Sequence, residues 1–232
     1  GGADVGVYMD EGREDYEDYN FGTSGRIDIQ RQTNVSALME FQHNHGARSS
    51  SDDAGGINPT LNDQYIANLS ASHTINRVSI DVDGDFDRYD YLDSPTAAGG
   101  VSTGQVNNDD RDRNVWKGTV RVGYEIQPEY GAFIQGAYNV RAYLSSRDDA
   151  GYDRDSTGYR IEAGTQLNFT DVTTGDVFFG YLEQTPKETR LGLETTSGFV
   201  FGTHLTWNAT RLTTVRLNID RNVNETTTAG VS

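Results

Sequence analysis

The feature that most constrains this chain is period-two alternation repeated from end to end. In residues 19–29, Tyr19, Phe21, Thr23, Ile27 and Ile29 alternate with Asn20, Ser24, Arg26 and Asp28. An extended chain puts the first set on one face and the second on the other. Val35, Ala37, Met39 and Phe41 repeat the pattern against Ser36, Glu40, Gln42 and Asn44. The polar turn at 31–34 joins the two series into a predicted hairpin. The same reading gives strands through Tyr65–Ile75, Val78–Phe86, Trp116–Ile126, Ala132–Val140, Tyr159–Phe169, Val177–Tyr181, Phe199–Trp207 and Val215–Val223. With Ala3, Val5, Val7 and Met9 at the front, eleven strands are expected.

The connections alternate too. Short turns are expected at 31–34, 76–77, 127–130, 170–174 and 209–212, and longer polar segments at 10–18, 46–62, 92–112, 144–156 and 185–197. A soluble sandwich has no reason to keep every second loop short, whereas outer-membrane barrels pair short periplasmic turns with long outer loops. The strands read as about 9 to 13 residues, longer than soluble strands and close to what a tilted strand needs to cross a bilayer. The apolar face also concentrates aromatic residues near its ends, as at membrane interfaces. Tyr19, Phe21, Phe41, Tyr65, Phe86, Trp116, Tyr138, Tyr159, Tyr181 and Phe199 fall near the long-loop ends, and Tyr124, Phe169 and Trp207 near the short turns. Glycines inside strands, such as Gly22, Gly84, Gly118, Gly136, Gly164 and Gly202, permit the bends that curvature requires. The expected fold is all-β: an antiparallel up-and-down transmembrane β-barrel forming one domain over residues 1–232, with about eleven strands. Bacterial barrels have even strand numbers, so the reading also expects strands beyond one or both ends of this sequence.

Composition limits the alternatives. Thirty-five acidic against nineteen basic residues leave a charge of -16, which repels a phosphate backbone and sets nucleic acid aside. There is no cysteine, so disulfides and thiolate metal sites are impossible. No apolar run reaches the roughly 18 residues of a membrane helix. No signal peptide opens the chain, so an exported protein would be a processed or truncated form.

From Gly158 onward the motifs become specific: GYRIEAG at 158–164, GDVFFGYLEQ at 175–184, LTWN at 205–208, LTTV at 212–215 and RNVNET at 221–226. VSIDVDG at 78–84 and VRVGYEI at 120–126 are similar in style. With these motifs the chain resembles the family called putative β-barrel porin 2, across nearly its whole length. The resemblance implies a barrel in the outer membrane of Gram-negative bacteria, often associated with exopolysaccharide or capsule gene clusters, with a role in polysaccharide export.

The most conspicuous polar constellation is Asp81, Asp83, Asp85 and Asp87, opposite Val78, Ile80, Val82 and Phe86. On a strand these carboxylates share one face at spacings of about 6 to 7 Å, which reads as a lumen charge strip, either paired with basic neighbours or selecting cations. Calcium fits poorly, since Gly84 falls at the fourth position and not the sixth of an EF-hand loop. Other charges expected on the lumen face are Arg26, Asp28, Glu40, Lys117, Arg121, Glu125, Arg141, Arg160, Glu162, Arg216 and Asp220. Dense charge at 107–113, Asp52–Asp53 and Asp148–Asp149 reads as solvated loop, with calcium as the alternative. His43 and His45 have metal-ligand spacing on one strand face, but two histidines define no site. No catalytic constellation stands out, and neither cofactor nor resident metal is expected.

The expected function is thus a non-enzymatic outer-membrane barrel that provides or supports a route for exopolysaccharide. The alternatives are a general or cation-preferring diffusion porin, and a structural surface-array protein without transport. Expected partners are outer-membrane lipid and lipopolysaccharide, polysaccharide, and periplasmic export proteins.

Overall fold

The computed structural model describes residues 1–6, 15–46, 58–98, 101–148, 151–170, 172–188 and 194–221, without the side chains at 96–98, 101–103, 169 and 170. The strands are β1 (Gly2–Gly6), β2 (Tyr16–Gln30), β3 (Thr33–His45), β4 (Leu61–Ile75), β5 (Val78–Tyr91), β6 (Ser94–Ala98), β7 (Val101–Val106), β8 (Arg113–Gln127), β9 (Tyr130–Tyr143), β10 (Ser156–Thr170), β11 (Thr173–Pro186), β12 (Thr196–Thr210) and β13 (Thr213–Arg221). Eleven of them form one antiparallel sheet in the order β1-β2-β3-β4-β5-β8-β9-β10-β11-β12-β13, and β6 pairs only with β7. Each main-sheet strand thus lies beside its predecessor, as in an up-and-down barrel wall. Among the described residues, β1 and β13 are edges and are not paired with one another. The one helical element described is a 3-10 turn at Asp109–Arg111.

Turns and strand lengths follow local chemistry. The hairpins β2–β3, β4–β5, β8–β9 and β12–β13 turn over two residues each. Asn76, with φ of 53°, supplies the left-handed backbone that fits the strands' twist. The strands from β2 to β12 in the main sheet run 13 to 15 residues, longer than the apolar series suggests. The added residues are polar ends such as Asn62 and Gln64, where backbone pairing continues without apolar side chains. Fourteen residues at about 3.3 Å each, tilted by about 45°, rise roughly 33 Å, so the ends extend past a hydrocarbon layer of roughly 25 to 30 Å. Within 92–112, expected only as a longer polar connection, lies the hairpin β6–β7. It is set apart from the main sheet, and its sequence lacks the alternation that marks the wall strands.

Paired residues share a face, so side-chain direction can be followed across the sheet. One row reads Ile80, Val122, Ile134, Ala163, Phe179 and Phe201. This face is apolar and open: Phe21 is 62% exposed, Ile134 63% and Phe179 57%. Water would not tolerate so broad an apolar surface, but acyl chains would. Rows on the other face, such as Asp85, Lys117, Asn139, Gly158 and Gln184, are polar.

That inner face is not polar throughout. Phe133, Phe178, Leu182 and Val200 point inward and are buried. Each lies opposite glycine on a neighbouring strand: Phe133 and Phe178 opposite Gly164, Phe178 also opposite Gly202, Leu182 opposite Gly198, and Val200 opposite Gly180. A Cβ at Gly164 would come within 2.5 Å of the Phe133 ring, and one at Gly202 within 2.6 Å of the Phe178 ring. Ring over glycine is how this half of the wall fills its interior.

Candidate functional site

The polar wall begins with β5, where strict alternation aims Asp81, Asp83, Asp85 and Asp87 inward. Across the pairing they face Arg121, Thr119, Lys117 and Val115 of β8. Lys117 Nζ lies 3.5 Å from Asp85 Oδ2, and Asn68 donates to Asp85 at 2.7 Å. Gln64 donates to Asp87 at 3.2 Å. Arg121, opposite Asp81, instead lays its guanidinium over the Phe133 ring at 3.5 Å. Four carboxylates therefore meet one ion-paired ammonium among the described residues, and the strip keeps a net negative charge.

The other inward charges divide by strand. On β2 and β3, Arg26 pairs with Asp28 at 2.8 Å on an exposed surface, and Glu40 accepts from Gln42 at 3.0 Å. On β8 to β10 the inward set is mainly basic: Arg113, Lys117, Arg121, Arg141 and Arg160, against Glu125 and Glu162. Glu162 is buried, accepting from Arg160 Nε at 2.6 Å and Gln135 at 3.0 Å. Arg216 faces Thr206, and Asp220 faces Gly202.

On the outer face the aromatics gather near the long-loop ends. Phe41 contacts Phe21, Tyr65 and Tyr19 at ring distances of 5.2, 5.1 and 6.1 Å. Phe86 meets Trp116 at 5.6 Å and Tyr181 meets Phe199 at 5.8 Å. Tyr159 lies opposite Tyr138. Tyr124 and Trp207 stand near the short turns and are half exposed. The Phe169 side chain lies outside the described residues, as do Val7, Met9, Asp52, Asp53, Asp149 and Val223.

The long loops hold themselves together with acidic side chains, of which Asp112 and Asp148 belong to the segments that sequence left open to calcium. Asp112 Oδ1 accepts the Tyr91 backbone N–H at 2.7 Å and Asp93 Oδ1 that of Asn108 at 3.0 Å. Asp148 accepts from the Tyr152 N–H at 2.7 Å and pairs with Arg154. Lys187 Nζ lies 3.0 Å from both Asp153 and Asp155, and these contacts raise its pKa. Burial works against the Asp153 carboxylate, but hydrogen bonds from Lys187 and the Asp155 N–H hold its pKa below the ordinary value.

His43 and His45 do not converge. His43 Nδ1 lies 2.6 Å from Asp63 with its ring on Tyr19, while His45 lies 2.9 Å from Asp18 with its ring on Tyr16. His204 sits between Asp176 at 3.3 Å and Asp220 at 3.1 Å. The sequence reading missed the inward tyrosines Tyr89 and Tyr91, although they continue the parity of the aspartate strip. They surround Arg113, whose guanidinium lies 4.3 Å from the Tyr89 ring and 5.6 Å from that of Tyr91.

An antiparallel meander with an apolar exterior, interfacial aromatics and a charged interior defines the class: an outer-membrane β-barrel. The family model for putative beta-barrel porin 2 matches residues 1–232, and the chain belongs to that family. Among solved structures it is similar to the G324V mutant of the ferric enterobactin receptor from Pseudomonas aeruginosa, at 10% identity and a TM-score of 0.45, over 94% of this chain and 38% of the receptor. The chain thus spans well under half of that receptor's length. No curated protein sequence matches it.

Proposed function

We propose that this barrel provides or supports a route for polysaccharide across the outer membrane. The observation that carries the reading is the set of amides and hydroxyls on the inner face of β3 and β4, interrupted by Leu38 and Ile66. Asn34, Ser36 and Gln42 stand opposite Ser72, Ser70 and Gln64, beside the aspartate strip of β5. Such groups exchange hydrogen bonds with sugar hydroxyls about as readily as with water, so many weak contacts let a chain slide. The outward face meets acyl chains, the long loops meet lipopolysaccharide, and periplasmic export proteins deliver the polymer. The test is a strain lacking the protein: surface polysaccharide falls and polymer accumulates in the periplasm. Unchanged surface polymer would overturn the reading.

A cation-preferring diffusion pore is the second reading, favoured by the strip's excess of carboxylates over ion-paired amines. Replacing Asp81, Asp83, Asp85 and Asp87 with Asn should move the reversal potential in a KCl gradient toward zero. Cation selectivity that persists without them would remove the strip from the explanation.

A further inference from the structure

We propose that Arg111 and Arg113, with Tyr89, Tyr91 and Tyr143, form a binding station for the carboxylate-bearing residues of an acidic saccharide at the long-loop mouth. The proposal rests on the polysaccharide reading and names the chemistry of the polymer that the wall receives.

Three features carry it. The first is position. Tyr89, Arg113 and Tyr143 stand in register across β5, β8 and β9 on the inner face, at the end where 92–112 and 144–155 emerge. An Arg at this place faces the interior and not the lipid, so a lipid headgroup phosphate does not reach it from the bilayer.

The second is charge. Acidic residues outnumber basic ones by thirty-five to nineteen in this chain, yet neither Arg111 nor Arg113 is paired with a carboxylate among the described residues. Arg113 Nη1 donates instead to the Arg111 carbonyl at 3.1 Å and reaches the Tyr91 hydroxyl at 3.5 Å. Arg111 lies over the Tyr91 ring at 4.2 Å, with its Nε and Nη1 buried and without a hydrogen-bond partner. Buried donors of this kind call for a ligand or water. Of the acids nearby, Asp112 holds the Tyr91 N–H, Asp87 accepts from Gln64 and Asp90 faces Arg88 on the outer side, while Asp109 and Asp110 precede Arg111 in the 3-10 turn without an ion pair to either arginine.

The third is shape. Guanidinium forks match carboxylates in two-point geometry. The Tyr89 and Tyr91 rings each already carry a guanidinium on one face, so a sugar would meet their edges and the hydroxyls at the rim. Tyr89 Oη already accepts from Gln64 at 3.1 Å, which leaves its own O–H to donate. A simple anion would use the forks alone, whereas a uronate-type sugar uses forks and rings together.

The experiment is current block of the full-length protein in planar bilayers, with oligogalacturonate, maltohexaose and inorganic phosphate as probes and calorimetric binding as a second readout. Oligogalacturonate should block from the long-loop side, with half-saturation raised about tenfold or more by Arg113→Gln and several-fold by Tyr91→Ala. Arg113→Lys should recover part of the loss, since it keeps charge but not the fork. Equal block by maltohexaose, displacement by phosphate at equal concentration, or indifference to both Arg113 variants would each overturn the station. If oligogalacturonate binds in this way while a strain lacking the protein exports its polymer normally, the station stands and the export reading falls.

Discussion

β5 and β11 have the same length and sit in the same sheet, and their outer faces are interchangeable in character. Ile80, Val82 and Phe86 on one correspond to Val177, Phe179 and Tyr181 on the other. Their inner faces are opposites. β5 presents four aspartates to partly solvated neighbours, whereas β11 presents Phe178 and Leu182 to glycines and buries them. The exterior answers to one solvent across the whole sheet, and the interior answers to whichever strand lies next door. The wall therefore has a hydrated half around β3 to β8 and a filled half around β9 to β12.

The sharpest way to break this contrast is to truncate one inward residue on each strand. Phe178→Ala should cost about 3 to 5 kcal/mol through the cavity it leaves, read from denaturant unfolding in lipid. Asp83→Ala should stay within about 0.5 kcal/mol. Similar losses would mean that both halves are packed alike. The outer faces should respond together: Ile80→Arg and Phe179→Arg are each expected to cost about 2 to 4 kcal/mol of membrane-folded stability. A cost confined to one of them would deny the two strands a common lipid exposure.

Glycine gives a finer comparison. A Cβ on Gly180 would come within 2.7 Å of the Glu162 side chain and collide with the Ile161 carbonyl, but on Gly84 it would meet nothing closer than 4.0 Å. Gly180→Ala should cost about 1 to 3 kcal/mol, and Gly84→Ala should be neutral or gain up to about 1 kcal/mol from reduced unfolded-state freedom. The smallest effect belongs to the Lys187 clamp just beyond β11. The depressed Asp153 pKa contributes stability above the unfolded value, roughly pH 4, that is lost as pH falls through the folded value. The raised Lys187 pKa contributes stability below roughly pH 10 that is lost as pH climbs through its folded value. The amides of residues 151–155 should accordingly be protected from hydrogen exchange at neutral pH and less so at either extreme, and a flat profile would count against the clamp.

β5 was legible because every second residue changes character, and lipid on one side with water on the other enforces that rule. Most of the wall could be read in the same way. The rule fails at Val177, Phe178 and Phe179, where consecutive apolar residues face both lipid and a packed interior, so Phe178 gave no period-two signal. Burial there depends on Gly164 and Gly202 of other strands, a pairing that one strand cannot announce. The β6–β7 hairpin escaped because its sequence carries no period-two alternation. Tyr89 and Tyr91 escaped for another reason: the eye stops at the aspartates, while the parity runs two residues further to Arg113's partners.

The hairpin has a practical corollary. Since among the described residues β6 and β7 pair with one another and with no other strand, exchanging them for a foreign peptide removes no rung from the main sheet, while Asn108 still tethers the base through Asp93 and Leu92. Residues 94–106 are therefore a natural place for an epitope tag, whose accessibility on intact cells would report which side of the membrane the long loops face.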